Sequence, residues 1–341
     1  MKRITLLSLA VILSTIFHSC GDSGSGGQTL LPNISGSSGE VLVVLDKARW
    51  ESSLGEKIRQ VLASPVPRLP QAEPYFDLIN TGGNDFSKLY QTHRNVLFVE
   101  TGEDREKKVT FMENTYSSQQ LMINLQAKND QEIIELLDEE GQSIVNKLNI
   151  AERDRWISVY KKSLNSVIFN KLRDDHKMTL HVPYNFSLDV EENGFLWFSY
   201  ETPTTTQAIL VYYFDHEGKN YFNKDSIMRI RDSITREKVE GPAKGSYMAI
   251  EDMIPVNYSL FRFRNRNYAE MRGLWTLENG FMGGPFINVV TKDEVNDRFV
   301  MLDGFVYAPN EEKRELMRQV EAIIYTIGFP DDTEVIITPD N

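Results

Sequence analysis

Asp174, Asp175, His176 and His181 lie within one tract, "DDHKMTLH", and bring together two carboxylates and two imidazoles, donor types that bind zinc. The spacing works against a shared ion. On a strand the odd offset from His176 to His181 sends the two rings to opposite faces. A polar loop leading into a strand accounts for the same letters, and no metal or cofactor is assigned. "FRFRNRNY" offers different chemistry: Arg262, Arg264 and Arg266 alternate with Phe261, Phe263 and Asn265. Read as one strand, it sets three guanidinium groups on one face, suited to a carboxylate, a phosphate or an acidic glycan. A solvated strand face paired with neighbouring acids fits the same pattern.

"LENGFMGGPF" gathers Gly280, Gly283 and Gly284 around Phe281 and Met282. It lacks the Lys-Ser/Thr and following helix of a phosphate loop. A hairpin turn explains the glycines, and its apolar tip, Phe281 and Met282, is the candidate for contact with a partner. Nucleophilic catalysis finds no footing: there is no G-x-S-x-G. The acid pairs Glu139-Glu140, Glu191-Glu192 and Asp331-Asp332 read as solvent-facing residues of helices and turns, with no predicted cleft between them. No catalytic residue is assigned.

The one cysteine, Cys20, stands apart from all of these. Lys2 and Arg3 precede an apolar run from Ile4 to Phe17, too short for a stable bilayer span and arranged like a secretory signal. Cleavage before Cys20 and acylation of its thiol would anchor the chain to a membrane by lipid alone. Gly21 to Gly27 is rich in Gly and Ser, a composition that makes a flexible tether. With Cys20 used in this way, no disulfide or cysteine-ligated metal remains available within the chain.

The formal charge is −12, and removing Lys2 and Arg3 with the signal leaves 35 basic against 49 acidic residues, or −14. That balance disfavours nucleic acid, whose phosphates demand clustered cations, and disfavours a face lying on anionic lipid.

The elements follow from periodicity. Val41 to Leu45 is a compact apolar run, read as a buried strand, and Trp50, Leu54, Ile58 and Leu62 then share a helical face. The prolines of Ser64 to Pro74 force an extended crossing segment. Further strands precede one helix carrying Ile133 to Leu148 and a second carrying Trp156 to Leu172. Four strands from Lys177 to Phe214 follow, then a helix from Lys224 to Val239, long alternating strands, and a closing helix from Asn310 to Ile327. The expected fold is α+β, with two α/β-sandwich-like halves, each a mostly antiparallel sheet covered by helices. The similar order of elements suggests a structural duplication. The expected boundaries are a signal at 1–19, a tether at 20–38, halves at 39–173 and 174–330, and a tail at 331–341.

The cysteine-ended signal, "SGEVLVVLDKARW", "LMINLQAKND" and the stretch from "MGGPFINVV" to "DGFVYAPNEEKRELMRQVEAII" together resemble an uncharacterised lipoprotein family of the Bacteroidota, classed as a domain of unknown function. The resemblance runs from about Ser38 to Phe329. It implies an envelope location, at the outer membrane and facing the periplasm or the exterior, and a shared fold, without a catalytic motif. The expected function is noncatalytic: binding or scaffolding an envelope protein or cell-wall component from a lipid anchor. The alternative is an envelope hydrolase or transferase whose site is assembled from residues scattered in sequence.

Overall fold

A computed structural model describes residues 30–330 and Asp332. Cys20, the signal and most of the tether and tail lie outside the described residues.

The first half begins with β1 (Glu40–Val44), α1 (Lys47–Trp50), α2 (Ser53–Leu62) and β2 (Asp77–Thr81). It continues with α3 (Lys88–Gln91), β3 (Asn95–Thr101), β4 (Lys108–Glu113), β5 (Leu121–Ala127) and the long α4 (Asp130–Lys162). The five strands are ordered β2-β1-β3-β5-β4. β1 runs parallel to both β2 and β3, β3 runs parallel to β5, and β4 alone is antiparallel, at the edge. Helices return the chain between β1 and β2 and between β2 and β3, and the antiparallel β4 does so between β3 and β5, since parallel neighbours need a crossover.

The second half holds α5 (Ser166–Asp175), β6 (Ser187–Glu192), β7 (Phe195–Glu201), β8 (Thr206–Asp215) and α6 (Lys224–Lys238). After these come β9 (Tyr247–Ile250), β10 (Asn257–Phe263), β11 (Arg266–Glu278), β12 (Gly283–Asp293), β13 (Arg298–Tyr307) and α7 (Arg314–Ile324). Its sheet is antiparallel throughout, ordered β10-β11-β12-β13-β8-β7-β6, with β9 also on β11. β12 and β13 are buried almost end to end because both faces are covered. One face carries Ile287, Val289, Val300 and Leu302 against α4, α5 and α7. The other carries Ala208, Leu210, Met301 and Phe305 against α6 and its surroundings.

The α+β architecture in two halves is as expected. Mostly antiparallel pairing describes the second sheet, whereas the first is mixed. The suggested duplication is overturned, since a five-stranded mixed sheet and an eight-stranded antiparallel one are not copies of one topology. Similar apolar periodicity had arisen from different strand directions, to which periodicity is blind.

Two helices were expected from Ile133 to Leu172, but α4 continues unbroken to Lys162. Nothing between Leu148 and Lys162 interrupts it, and the break comes where the Asn165 side chain caps the next helix by accepting from Ile168 N–H at 3.2 Å. The first turns of α4 pack Ile133, Leu137, Ile144 and Leu148 on the first sheet, and its last turns bury Ile157 and Tyr160 in the second core. One helix therefore serves both halves. The strand expected at Lys177 to Val182 forms only isolated bridges, Thr179 with Gly328 and Leu164 with nearby Pro183.

Candidate functional site between the two halves

The proline-rich segment crosses from the first half to the second and fastens to it. Glu73, 5% exposed, accepts from the backbone N–H groups of Lys313 at 2.8 Å and Arg314 at 2.7 Å, where α7 begins. Arg314 donates to Asp77 at 2.7 Å and to the Pro74 carbonyl at 2.8 Å. Arg318 donates to the Tyr75 carbonyl at 2.6 Å and to the Asn149 side chain at 3.1 Å. A carboxylate at a helix N-terminus meets unpaired N–H groups and the positive end of the dipole, so Glu73 is well placed to hold α7.

Beside this clamp lies a cleft of about 840 Å³. Its walls are Val66 to Leu69 of the proline-rich segment, the middle of α4, and the edge of the second sheet at β10 and β11. An alternating polar chain forms the floor. The Tyr325 hydroxyl donates to Glu270 at 2.6 Å, Glu270 receives Arg272 in a two-point contact at 2.6 and 3.1 Å, and Arg272 reaches Glu321 at 2.9 Å. Arg153 of α4 closes the chain, 3.4 Å from Glu321 and with its guanidinium 3.9 Å over the Tyr325 ring. Burial pushes the Glu270 carboxyl up, but Arg272, the Tyr325 hydroxyl and Arg153 outweigh it and hold the group below its ordinary value. Burial, joined by Glu270 and Glu321, raises the Tyr325 phenol. The floor is thus a set of satisfied ion pairs.

Two further arginines line the cleft without a carboxylate partner among the described residues. Arg68 has φ 65° on the proline-rich wall, and its buried Nε has no hydrogen-bond partner. Arg262 is exposed on β10, and its one hydrogen bond among the described residues is a 3.4 Å approach to the Asn265 carbonyl. In a chain of charge −12, this is a local excess of positive charge.

The three arginines read as one strand face are separated by a hairpin. Arg264 and Asn265, φ 45° and 63°, form the turn between β10 and β11. Arg262 therefore stays at the cleft, and Arg264 stands exposed at the turn with its guanidinium 5.0 Å over Phe263. Arg266 is buried on β11, donating to Asp332 at 3.0 Å and to the Lys292 carbonyl at 3.2 Å. The strand alternation that predicted a common face fails because the chain reverses inside the motif.

Phe281 is 97% exposed at the β11–β12 turn, whereas Met282 packs back on the core beside α6. Asp174 pairs with Arg173 and Asp175 with Lys171. His176 lies between the Tyr213 hydroxyl at 2.9 Å and Glu191 at 3.2 Å. His181 packs on Phe169, 5.9 Å between ring centroids, and burial holds its imidazole down at about 4. These groups do not converge.

The sequence reading missed Arg68, Arg153, Glu270, Arg272, Glu321 and Tyr325. The one local signal was Glu270 and Arg272, two apart on an alternating strand and so on one face. The others meet only through the packing of α4, α7 and the proline-rich segment. Among the described residues no helix is long and apolar enough to cross a membrane.

Two family models match the chain. One, Domain of unknown function (DUF8532), covers residues 35–161, and the other, Domain of unknown function (DUF4837), covers residues 165–326. They meet at the junction of α4 and α5, and the cleft draws residues from both. No curated protein matches. Among solved structures, the Ran-binding protein Mog1p of Saccharomyces cerevisiae is 8% identical, with 45% of this chain and 90% of that one covered and a TM-score of 0.31. A protein from Bacteroides thetaiotaomicron VPI-5482 is 12% identical, with 46% and 47% covered and a TM-score of 0.21.

Proposed function

We propose that this is a lipoprotein of the cell envelope, anchored to the outer membrane through Cys20, that binds an envelope protein or cell-wall component in the cleft between its halves without catalysing a reaction. The observation that carries the reading is the pair Arg68 and Arg262, which line one cleft from the proline-rich segment and from β10, with no carboxylate partner among the described residues. Unpaired guanidinium groups at a half-enclosed site are ready to accept an anionic group of a ligand. Noncatalytic binding is favoured because Glu270, a carboxyl in the floor, is held ionised by its arginine and serves as neither a proton donor nor a free base. The signal-like N-terminus and the resemblance to a lipoprotein family of the Bacteroidota support the location.

The test places a photo-crosslinking amino acid at Ile150, in the cleft, or at Val167, 75% exposed on α5, in cells making the full chain. A discrete adduct from position 150, absent from position 167 and lost in Arg68→Glu/Arg262→Glu, is expected. Equal adducts from both positions, or an adduct indifferent to the double substitution, would refute the cleft as the binding site. Labelling with a palmitate analogue tests the anchor: label is expected on the parent protein and absent from Cys20→Ser, and an unlabelled parent would end that part.

A further inference from the structure

β10 is one of the open edges of the second sheet, and it borders the cleft. Two residues with positive φ, Arg264 and Asn265, make the type I′ turn that joins β10 to β11. Such a turn is closed by a hydrogen-bonded pair, here Phe263 with Arg266. Alternation along an antiparallel pair then directs the backbone groups of Phe261, Ser259 and Asn257 to β11 as well. The N–H and C=O groups of Tyr258, Leu260 and Arg262 are left pointing away from the sheet. β10 pairs with no other strand, and among the described residues these outward groups have no hydrogen-bond partner.

Tyr258 and Arg262 line the cleft, and so do Ser259 and Phe261, whose side chains point to the opposite face. The cleft thus runs beside β10 from Asn257 to Phe263. Natural edges are commonly closed by prolines, bulges or a covering element. β10 contains no proline or glycine, its register with β11 is unbroken from Asn257 to Phe263, and Leu260 is 60% exposed.

We infer that β10 receives an extended acidic segment of a partner protein as an added strand, a deepening that rests on the cleft being the binding site. The outward groups from Tyr258 to Arg262 supply a five-residue template, about 17 Å long. Affinity comes from main-chain hydrogen bonds. Selection for acid comes from Arg262, whose cross-strand neighbour lies about 5 Å away, and from Arg68, which lines the same cleft.

The experiment uses the purified full chain and fluorescein-labelled Glu-Val-Glu-Val-Glu-Val, read by anisotropy. Controls are the Lys-Val counterpart and an acidic peptide N-methylated at alternate residues, in both registers, so that it cannot pair with the edge. Saturable binding of the acidic peptide alone is expected, weakened at least tenfold by Arg262→Glu and by Leu260→Pro. Leu260→Pro removes only an outward donor, and a melting curve matching the parent's verifies that it folds. Equal binding of the N-methylated peptide would reduce the effect to charge and overturn the added strand, as would indifference to Leu260→Pro. A dimer of the full chain that Leu260→Pro dissociates would assign the edge to a second copy and overturn the proposal. If crosslinking from Ile150 remains specific while the acidic peptide fails to bind, the strand proposal falls and the cleft reading stands.

Discussion

Asp303→Asn should be among the most destabilising single substitutions in the second half, through the charge it strands. Arg231 of α6 and Asp303 of β13 are both 0% exposed. The guanidinium makes a two-point contact with the carboxylate, 2.7 Å from Nε and 3.2 Å from Nη2, and stacks 3.7 Å over Phe286. Asn288 donates to the same carboxylate at 2.9 Å and to the Tyr212 hydroxyl at 3.0 Å. Two unit charges about 4 Å apart attract by about 4 kcal/mol at an effective dielectric of 20, and removing one partner of a buried pair costs about 3–5 kcal/mol. Asparagine keeps one acceptor, for Arg231 Nε and Asn288, but sets an amide N–H against Arg231 Nη2, so the loss combines the stranded charge with one broken hydrogen bond. Arg231→Met/Asp303→Asn removes both charges and should cost no more than the worse single change, with a coupling energy above about 2 kcal/mol. Urea unfolding read by tryptophan fluorescence measures this, since Trp197 and Trp275 report on the same core face. A cost below about 1 kcal/mol for Asp303→Asn, or single effects that simply add, would refute the reasoning.

The seam between the halves gives another test: Glu73→Ala removes the acceptor at the start of α7 and should cost about 1–3 kcal/mol, with faster proteolysis after the proline-rich segment as the local readout. Gly304→Ala places a Cβ 2.2 Å from Val320 Cγ1 and 2.8 Å from Ile324 Cδ1, so α7 must lift from β13. Thermal unfolding should show a loss of about 1–3 kcal/mol, and an unchanged melt would mean that α7 does not sit on β13 as described. His181 is held neutral down to about 4 against an ordinary value of 6.5, mainly by burial and then by Lys161 and Arg264. The unfolded chain takes up that proton first as pH falls, so stability present above pH 6.5 shrinks by up to about 3 kcal/mol on the way to pH 4. His181→Phe should flatten that part of a stability-against-pH curve, and an identical slope would exclude His181 as its source.

The elements whose apolar pattern is local were legible from sequence. β1 appeared as Val41 to Leu45, α6 was placed within a residue of its observed ends, and the glycine-bearing turn at Phe281 was read as a hairpin tip. Strand direction was not legible in the first half, although the continuous apolar run of β1 is the signature of a strand covered on both faces, as parallel strands usually are. The turn at Arg264 and Asn265 was hidden because neither residue is glycine, yet both adopt the left-handed backbone that an I′ turn needs. The cleft was the least legible part. Arg68, Arg153, Arg272 and Glu321 come to one cleft only after four segments far apart in sequence have packed, and no periodicity records that meeting.

Where the two family matches meet bears directly on what a functional unit of this protein must contain. The junction at residues 161–165 suggests a natural cut, yet Ile157 and Tyr160, from the α4 side of it, are part of the second core. A fragment beginning at residue 165 loses these two side chains and exposes the surface they cover. It also loses Glu73 from the start of α7 and Arg153 from its place over Tyr325. The first half, taken alone, keeps Arg68 but has no Arg262, no β10 edge and none of the Glu270–Arg272–Glu321 chain. Neither match by itself therefore holds the cleft, and a test for binding there needs the two halves in one chain.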